Sequence, residues 1–235
     1  MPHRWDKCVM LRREQIEAGL DLTFTKVFLP WYSEFVLRQG ARTVLEVGAG
    51  TGHLAHALSH LVDEYVAIEP SDGMYEVAAD VLADSSVLLR KIHVEDLEQD
   101  RFYDVVMSHL CLQTVDCHGM FIASMSRHVA PSGMLLFSIP HPCFYNGYKH
   151  LIPPENYAYM TESKHEISFT VTLDPNRAIT GVPYFHRPVS AYVSKIASSG
   201  FAIETMEEIF PPPSVQELYG KGWDTPRYLT IVSRR

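Results

Sequence analysis

The stretch TVLEVGAGTG, residues Thr43 to Gly52, sets glycines at 48, 50 and 52 directly behind a short β-rich run. Glycine loses more conformational freedom on folding than any other residue, so three at alternate positions need a reason. Without Cβ atoms, Gly48, Gly50 and Gly52 let the backbone bend sharply and, with Ala49, approach a ligand within contact distance. The next segment, HLAHALSHL, puts Leu54, Ala57, Leu58 and Leu61 on one helical face. A strand, a glycine turn and a helix make a mouth for a nucleotide-like ligand, which sits outside the carboxyl ends of parallel strands.

The rest of the chain supports that frame. EYVAIEP reads as a second strand and GMYEVAADVL as a second helix. SVLLRKIHV, FYDVVMSHL and GMLLFSIP read as further strands, with the helix MFIASMSRHV between the last two and the turn APSG before the fifth. Strands alternating with helices imply a parallel sheet with right-handed crossovers, and the nearly continuous apolar runs suit strands covered on both faces. Upstream, RREQIEAG reads as a helix stopped by Gly19. DLTFTKVFLPWYSEFVLRQG carries a helical stripe that Pro30 interrupts or restarts. Beyond Pro140 the rhythm breaks. HEISFTVTLD reads as a strand, PNRAITGVPYFHRP as loop, VSAYVSKIASSGF as a helix, and FAIETMEEIF and RYLTIVSRR as two closing strands. PPPSVQELYGKGWDTP between those two rules out a tight hairpin. With 235 residues the chain suits a single domain: a helical cap over 1–40, a ligand-binding core over 41–140, an insertion over 141–188 that covers the substrate, and a closing helix and strands over 189–235.

Two carboxylates narrow the ligand. Glu46 lies two positions ahead of Gly48, where it would repel a pyrophosphate and attract an amine or other cation. Glu69 ends the second strand, 19 residues after Gly50, and suits both hydroxyls of a ribose. The spacing GxGxG departs from the GxGxxG of dinucleotide sites, whose third glycine falls here on His53. A ribose, a base and a positive amino end together describe S-adenosylmethionine.

With these residues the chain resembles the class I S-adenosylmethionine-dependent methyltransferases. VLEVGAGTG matches their first motif, E/D-x-G-x-G-x-G, and YVAIEPSDGM resembles the second, with Pro70 after the ribose acid and Met74 in the apolar slot near the adenine. HVEDLEQDRFYDVVMSHLCLQTV is similar to the third and fourth, with Glu95 and Asp96 where the family meets the adenine edge and Ser108 near the end of the fourth strand. The likeness runs from about Val44 to Pro142 and returns in HRPVSAYVSKIASSGF. It implies an α/β fold, a doubly wound Rossmann-like seven-stranded sheet, mostly parallel with an antiparallel last strand. It also implies S-adenosylmethionine as cofactor and S-adenosylhomocysteine as product.

The methyl acceptor must be read from the segments outside the core. Aromatic residues crowd both the N-terminal cap, with Trp31 and Tyr32, and the insertion, with Phe144 and Tyr145, which suits a small planar or apolar metabolite bound for O- or N-methylation, as in specialised metabolism. His141, directly after the fifth strand, and His109, ending the fourth, are candidate bases. His186 and Arg187, ahead of the last helix, are candidate substrate contacts, Arg187 as a clamp on a carboxylate or phosphate. The Asn/Asp-Pro-Pro-Tyr/Phe motif of base-amino methyltransferases is replaced by SHLCLQTV. The net charge of −8 argues against a nucleic-acid partner. Cys8, Cys111, Cys117 and Cys143 show neither metal-ligand nor CxxC spacing, so we expect no metal and free thiols in a reducing compartment. The polar start and the lack of a long apolar run point to a cytoplasmic chain without a membrane partner; oligomeric state is left open. Two other functions fit parts of this pattern: a nicotinamide-dependent oxidoreductase, disfavoured by Glu46 and the glycine spacing, and a cofactor-binding subunit without turnover.

Overall fold

In the computed structural model, which describes residues 4–220 and 222–235, a short 3₁₀ turn leads into helix α1 (Val9–Glu17), and Gly19 at φ 68° turns the chain away from it. Residues 1–3 of the expected cap lie outside the described residues. A π-helical turn over Thr23–Phe28 runs straight into α2 (Leu29–Gln39). Pro30 sits in the first turn of α2, where its missing N–H matters least, so it restarts the helix rather than breaking it. Phe24, Val27, Phe28, Tyr32, Phe35 and Val36 of this stripe are all buried.

The core then alternates: β1 (Thr43–Val47), α3 (His53–Leu58), β2 (Glu64–Ile68), α4 (Asp72–Val81), β3 (Leu88–Arg90), β4 (Tyr103–His109), α5 (His118–Ser126) and β5 (Val129–Pro140). The third strand is much shorter than its apolar run suggests. It is an edge strand with one neighbour, and β2 has no residue left to pair beyond Ile68 opposite Arg90. The APSG turn falls inside β5, as an irregularity between the pairs Tyr103–Val129 and Val105–Met134. After β5 come α6 (Tyr145–Lys149), β6 (Ser163–Val171), β7 (Asp174–His186), α7 (Val189–Ser198), β8 (Ala202–Ile209), α8 (Pro213–Gln216) and β9 (Tyr228–Arg234).

The main sheet has seven strands in the order β3-β2-β1-β4-β5-β9-β8; β1 to β5 are mutually parallel, and β9 runs antiparallel to both its neighbours. PNRAITGVPYFHRP, expected as loop, is instead most of β7, which pairs antiparallel with β6 in a separate two-stranded sheet. Pro183 and Gly181 suggested a loop. In a two-stranded sheet every strand is an edge, so a proline is tolerated, and Gly181 at φ 73° sits beside a register shift. Ile167, Ile179, Val182 and Tyr184 of the hairpin cluster with Ile152 and Cys8 from outside it.

Alternation along the strands sorts side chains onto two faces. Leu45, Val47, Val66, Val106 and Leu135 pack with α5 and α7 on one side. Val44, Tyr65, Val105, Met107 and Leu136 pack with α2 and α3 on the other. By the same period of two, Glu46, His109, Ser138 and Tyr228 fall on the second face, at or near the carboxyl ends of β1, β4 and β5. Among the described residues no helix is long and apolar enough to cross a membrane.

Candidate active site

A cavity of about 650 Å³ opens at the carboxyl ends of β1, β2 and β4 and extends under the β6–β7 hairpin. That is within the usual size of small-molecule sites. The glycine bend forms its floor, and the three glycines serve different ends. Gly48, at φ 76°, lies so close to the loop after β4 that a Cβ would come within 2.6 Å of Cys111 Sγ. Gly50, at φ 57°, faces open space: a Cβ there meets nothing within 4 Å. Gly52, at φ 77°, lets α3 pack on α4, where a Cβ would lie 3.1 Å from both Ala78 and Leu82. Gly48, Ala49 and Gly50 line the cavity and Gly52 does not.

Glu69 is buried against this bend. One carboxylate oxygen accepts the Gly50 N–H at 2.8 Å and the other the Ser71 N–H at 2.9 Å. Burial raises its pKa, and those two bonds only partly offset the effect. Pro70 and Met74 continue the wall. Of the acidic pair after β3, Glu95 lines the cavity while Asp96 is solvent-exposed and closes a turn with its N–H on the His93 carbonyl. Ser108 is buried and donates to the Val47 carbonyl at 2.9 Å, tying β4 to β1 behind the cavity. Asp6 clasps the start of α4 from the N-terminal segment, accepting from Ser71 Oγ at 2.6 Å and the Gly73 N–H at 2.9 Å.

Glu46 lines the cavity at 2% exposure, with the Tyr65 hydroxyl donating to it at 2.9 Å. Burial pushes its carboxyl up to about 8; the Tyr65 hydrogen bond opposes this and the nearby Glu69 adds to it. A neutral carboxyl at this depth is poised to ionise when a cation arrives. Two buried carboxyls, a bend whose middle glycine faces open space, and the apolar Met74 fit the ammonium, ribose and base of S-adenosylmethionine.

Beyond the bend the walls become aromatic. His109 packs edge-on against Phe28 with ring centroids 4.6 Å apart, and against Tyr32 at 5.3 Å. Its Nδ1 lies 2.7 Å from Ser138 Oγ. Ser138 Oγ accepts from the Tyr32 hydroxyl at 2.9 Å and shares the Leu110 N–H, which donates at 2.9 Å to the Ser138 carbonyl and lies 3.2 Å from Oγ, so the hydroxyl's own proton is left for Nδ1. The remaining ring nitrogen, Nε2, therefore carries the hydrogen. Burial and the charge of Arg12 push the imidazole pKa down to about 3. At neutral pH His109 presents an N–H to the cavity, not a lone pair.

The other residues expected at the acceptor end are placed differently. Tyr145 lines the cavity. Tyr32 is fully buried behind His109. His141 does not line the cavity: its Nε2 is 3.0 Å from Glu208 on β8 and its Nδ1 accepts the Cys143 N–H. The proline on each side of His141 fixes its backbone, and β8 lies within reach of its ring. Phe144 packs on the His141 ring in a tilted arrangement, 4.6 Å between centroids. Trp31 faces the outer side of α2, stacked on Phe35 and donating to Glu207 at 3.0 Å. His186 is buried, 3.0 Å from the Tyr159 carbonyl oxygen. Arg187 is buried behind the loop that follows β4, donating to the Val115 and Asp116 carbonyls at 2.7 Å each and facing Glu162 at 3.4 Å. It holds a cavity-lining loop and does not reach the cavity.

Several cavity residues left no local signal in the sequence. Arg12 and Asp21 form an ion pair at 2.5 Å inside the cavity. Burial raises the Asp21 pKa, but Arg12 and the Phe24 N–H overcome it and leave the carboxyl below its usual range. Lys149, Phe169 and Tyr228 join the lining from distant parts of the chain. Only tertiary packing brings them together. The run FYNGYK did show aromatic and basic character, but nothing in it indicated which side chains turn inward.

Residues 45–137 match the family described as methyltransferase domain. A malonyl-[acyl-carrier protein] O-methyltransferase of Bacillus cytotoxicus is 32% identical over 103 residues, covering 43% of this chain and 36% of that protein. The chain thus spans little more than a third of the length of such curated relatives. Among solved structures, S-adenosylmethionine-dependent methyltransferases from Clostridium acetobutylicum and Mesorhizobium loti superpose with TM-scores of 0.66 and 0.65. Their identities are 14% and 22%, over 99% and 88% of this chain and 99% and 100% of theirs.

Proposed function

We propose that the protein moves a methyl group from S-adenosylmethionine to an oxygen or nitrogen of a small, planar or apolar molecule, a reading supported by the match of residues 45–137 to the methyltransferase domain family and by the shared fold. One observation carries the reading. A single cavity joins two buried carboxyls and a side-chain-free bend to a chamber walled by Phe28, Tyr145, Tyr148 and Tyr228. The bound cofactor supplies an activated methyl on a sulfonium, which needs an aligned nucleophile and little else. In this reading Glu69 holds the ribose hydroxyls and Glu46 the amino end, while Met74 and Glu95 border the adenine. Glu46 and His109 lie on the same face of the sheet, so the amino end and the acceptor are held side by side.

His109 donates its Nε2 hydrogen to the acceptor and orients it. With that ring already committed as a donor, the acceptor reaches the cavity in a nucleophilic form, as an ionised oxygen or a neutral amine. The aromatic walls and the hairpin exclude water. A nicotinamide dinucleotide fits poorly, because its pyrophosphate would sit beside Glu46. The test is twofold: calorimetric titration with S-adenosylmethionine and with NADH, then release of S-adenosylhomocysteine with a panel of small phenols, acids and amines. Tight binding of the first ligand with turnover of at least one panel member supports the proposal. Binding without turnover across the panel points to a non-catalytic subunit, and preference for NADH overturns it.

A further inference from the structure

The cavity is electrically divided. Glu46, Glu69 and Glu95 stand at the end assigned to the cofactor. The far end is basic. Lys149, the last residue of α6, reaches into it with Nζ 2.9 Å from the Thr170 carbonyl oxygen and 5.0 Å from the centre of the Tyr148 ring. Behind Tyr148 lies Arg227, only 4% exposed, its guanidinium carbon 3.7 Å from the Tyr148 ring centre and 4.0 Å from that of Trp223. Among the described residues neither cation forms an ion pair. Asp21, the carboxylate nearest them in the cavity, is committed to Arg12 and to the Phe24 N–H. Lys164, at another part of the wall, is paired with Asp116 at 3.0 Å. Arg227 is accommodated by the Tyr148, Trp223 and Tyr219 rings, but the half-buried Lys149 ammonium faces the cavity without a counter-ion, and charges held away from water are ordinarily paired.

We propose that the methyl acceptor carries a carboxylate that docks on Lys149 Nζ, with Arg227 reinforcing the positive field through Tyr148. The inference rests on the methyltransferase reading and adds the chemical class of its substrate. The ammonium donates one hydrogen to Thr170, which leaves two for a carboxylate. The geometry also sets the shape of the molecule. From His109 the wall runs through Phe28, Tyr228 and Tyr145 to Tyr148, with ring centroids 4.6, 5.0, 5.4 and 6.0 Å apart in turn. An acceptor atom at His109 and an anion at Lys149 are thus separated by an apolar, ring-bearing body. The division of charge gives each end its ligand: a cationic cofactor at the carboxyls, an anionic acceptor at the Lys149 ammonium. Burial and Arg227 depress the Lys149 pKa, a cost that an incoming anion removes.

The probes are benzoate, phenylacetate, 3-phenylpropionate and 4-phenylbutyrate, each beside its neutral amide, titrated calorimetrically into protein saturated with S-adenosylhomocysteine. At least one acid binds about tenfold tighter than its amide, the scale set by charge-assisted hydrogen bonding. Lys149→Met abolishes that preference and leaves the amide's affinity unchanged, while Lys149→Arg keeps it. S-adenosylhomocysteine affinity stays the same in both variants. Equal binding of every acid and its amide overturns the proposal, as does a preference that survives Lys149→Met, or binding of neither series to protein that still binds S-adenosylhomocysteine. Failure of S-adenosylhomocysteine itself to bind is a separate result, and it strikes the methyltransferase reading instead.

Discussion

With Glu46 as the proposed partner of the cofactor's ammonium, cofactor binding carries a proton signature. Its carboxyl, pushed up to about 8 by burial, is mostly protonated in the free protein at neutral pH. The ammonium of S-adenosylmethionine needs it ionised. At pH 7 only roughly a tenth of the carboxyls are ionised, so ionising the rest costs about 1.4 kcal/mol of binding free energy. Each binding event then expels about 0.9 proton at pH 7, and affinity rises close to tenfold per pH unit between about pH 6 and 7. The sign follows from the direction of the shift: a raised carboxyl pKa penalises the ligand below that pKa, and the penalty fades as pH climbs toward 8. Calorimetry in phosphate and in Tris at the same pH counts the protons directly, because the observed enthalpy shifts with the buffer's ionisation enthalpy. Glu46→Gln should erase the buffer dependence and bind more weakly at pH 8 than the parent. Tyr65→Phe removes the hydrogen bond that favours the charged carboxyl, so it should raise the Glu46 pKa further and weaken binding at pH 7 by about 1 kcal/mol. Buffer-independent enthalpies in the parent, or proton release of equal size in Glu46→Gln, would refute the reasoning.

Further outcomes can be checked the same way. Glu69→Ala should weaken S-adenosylmethionine by roughly 1.5–3 kcal/mol, the worth of charge-assisted hydrogen bonds, and unchanged affinity removes Glu69 from the site. Gly50→Ala should cost about 1 kcal/mol of stability through its left-handed φ, yet weaken the ligand more than tenfold, since the added methyl enters open cavity. Arg187→Met should destabilise the fold by about 1–3 kcal/mol, read by urea unfolding, because it strips the half-buried Val115 and Asp116 carbonyls of their guanidinium donor. His141→Ala should leave turnover within about twofold of the parent, in keeping with a ring bonded to Glu208 outside the cavity. With the His109 pKa down at about 3, the rate should show no inflection near pH 6.5 from that ring, and one that vanishes in His109→Asn would contradict a ring that stays neutral through this range.

That Glu46, Gly48, Gly50 and Glu69 line one cavity was legible because the requirements of such a bend are local. A backbone that must approach a ligand needs glycine, and strand ends that face it need carboxylates at fixed offsets, so Glu46, Gly48, Gly50 and Glu69 could be picked out by spacing. Period-two alternation along β1 and β4 then carried Glu46 and His109 to one face. The acceptor half was less legible because it is assembled from far apart. Lys149, Arg12 and Tyr228 meet only through tertiary packing, and of the two histidines chosen for standing at strand ends His109 lines the cavity while His141 does not. His141 found Glu208 across the sheet edge, and Arg187 found loop carbonyls. β7 escaped notice because its proline and glycine, which exclude a central strand, are permitted in a two-stranded sheet. Gly52 shows a further ambiguity: it belongs to the motif, yet its space is taken by α4.

The most direct test of the account is a crystal structure with S-adenosylhomocysteine. The ribose hydroxyls should lie on Glu69, the amino group beside Glu46, the adenine near Met74 and Glu95, and the sulfur should turn toward His109 and the aromatic chamber. An adenosyl group bound elsewhere, or a sulfur facing away from His109 with Glu46 unengaged, would contradict it.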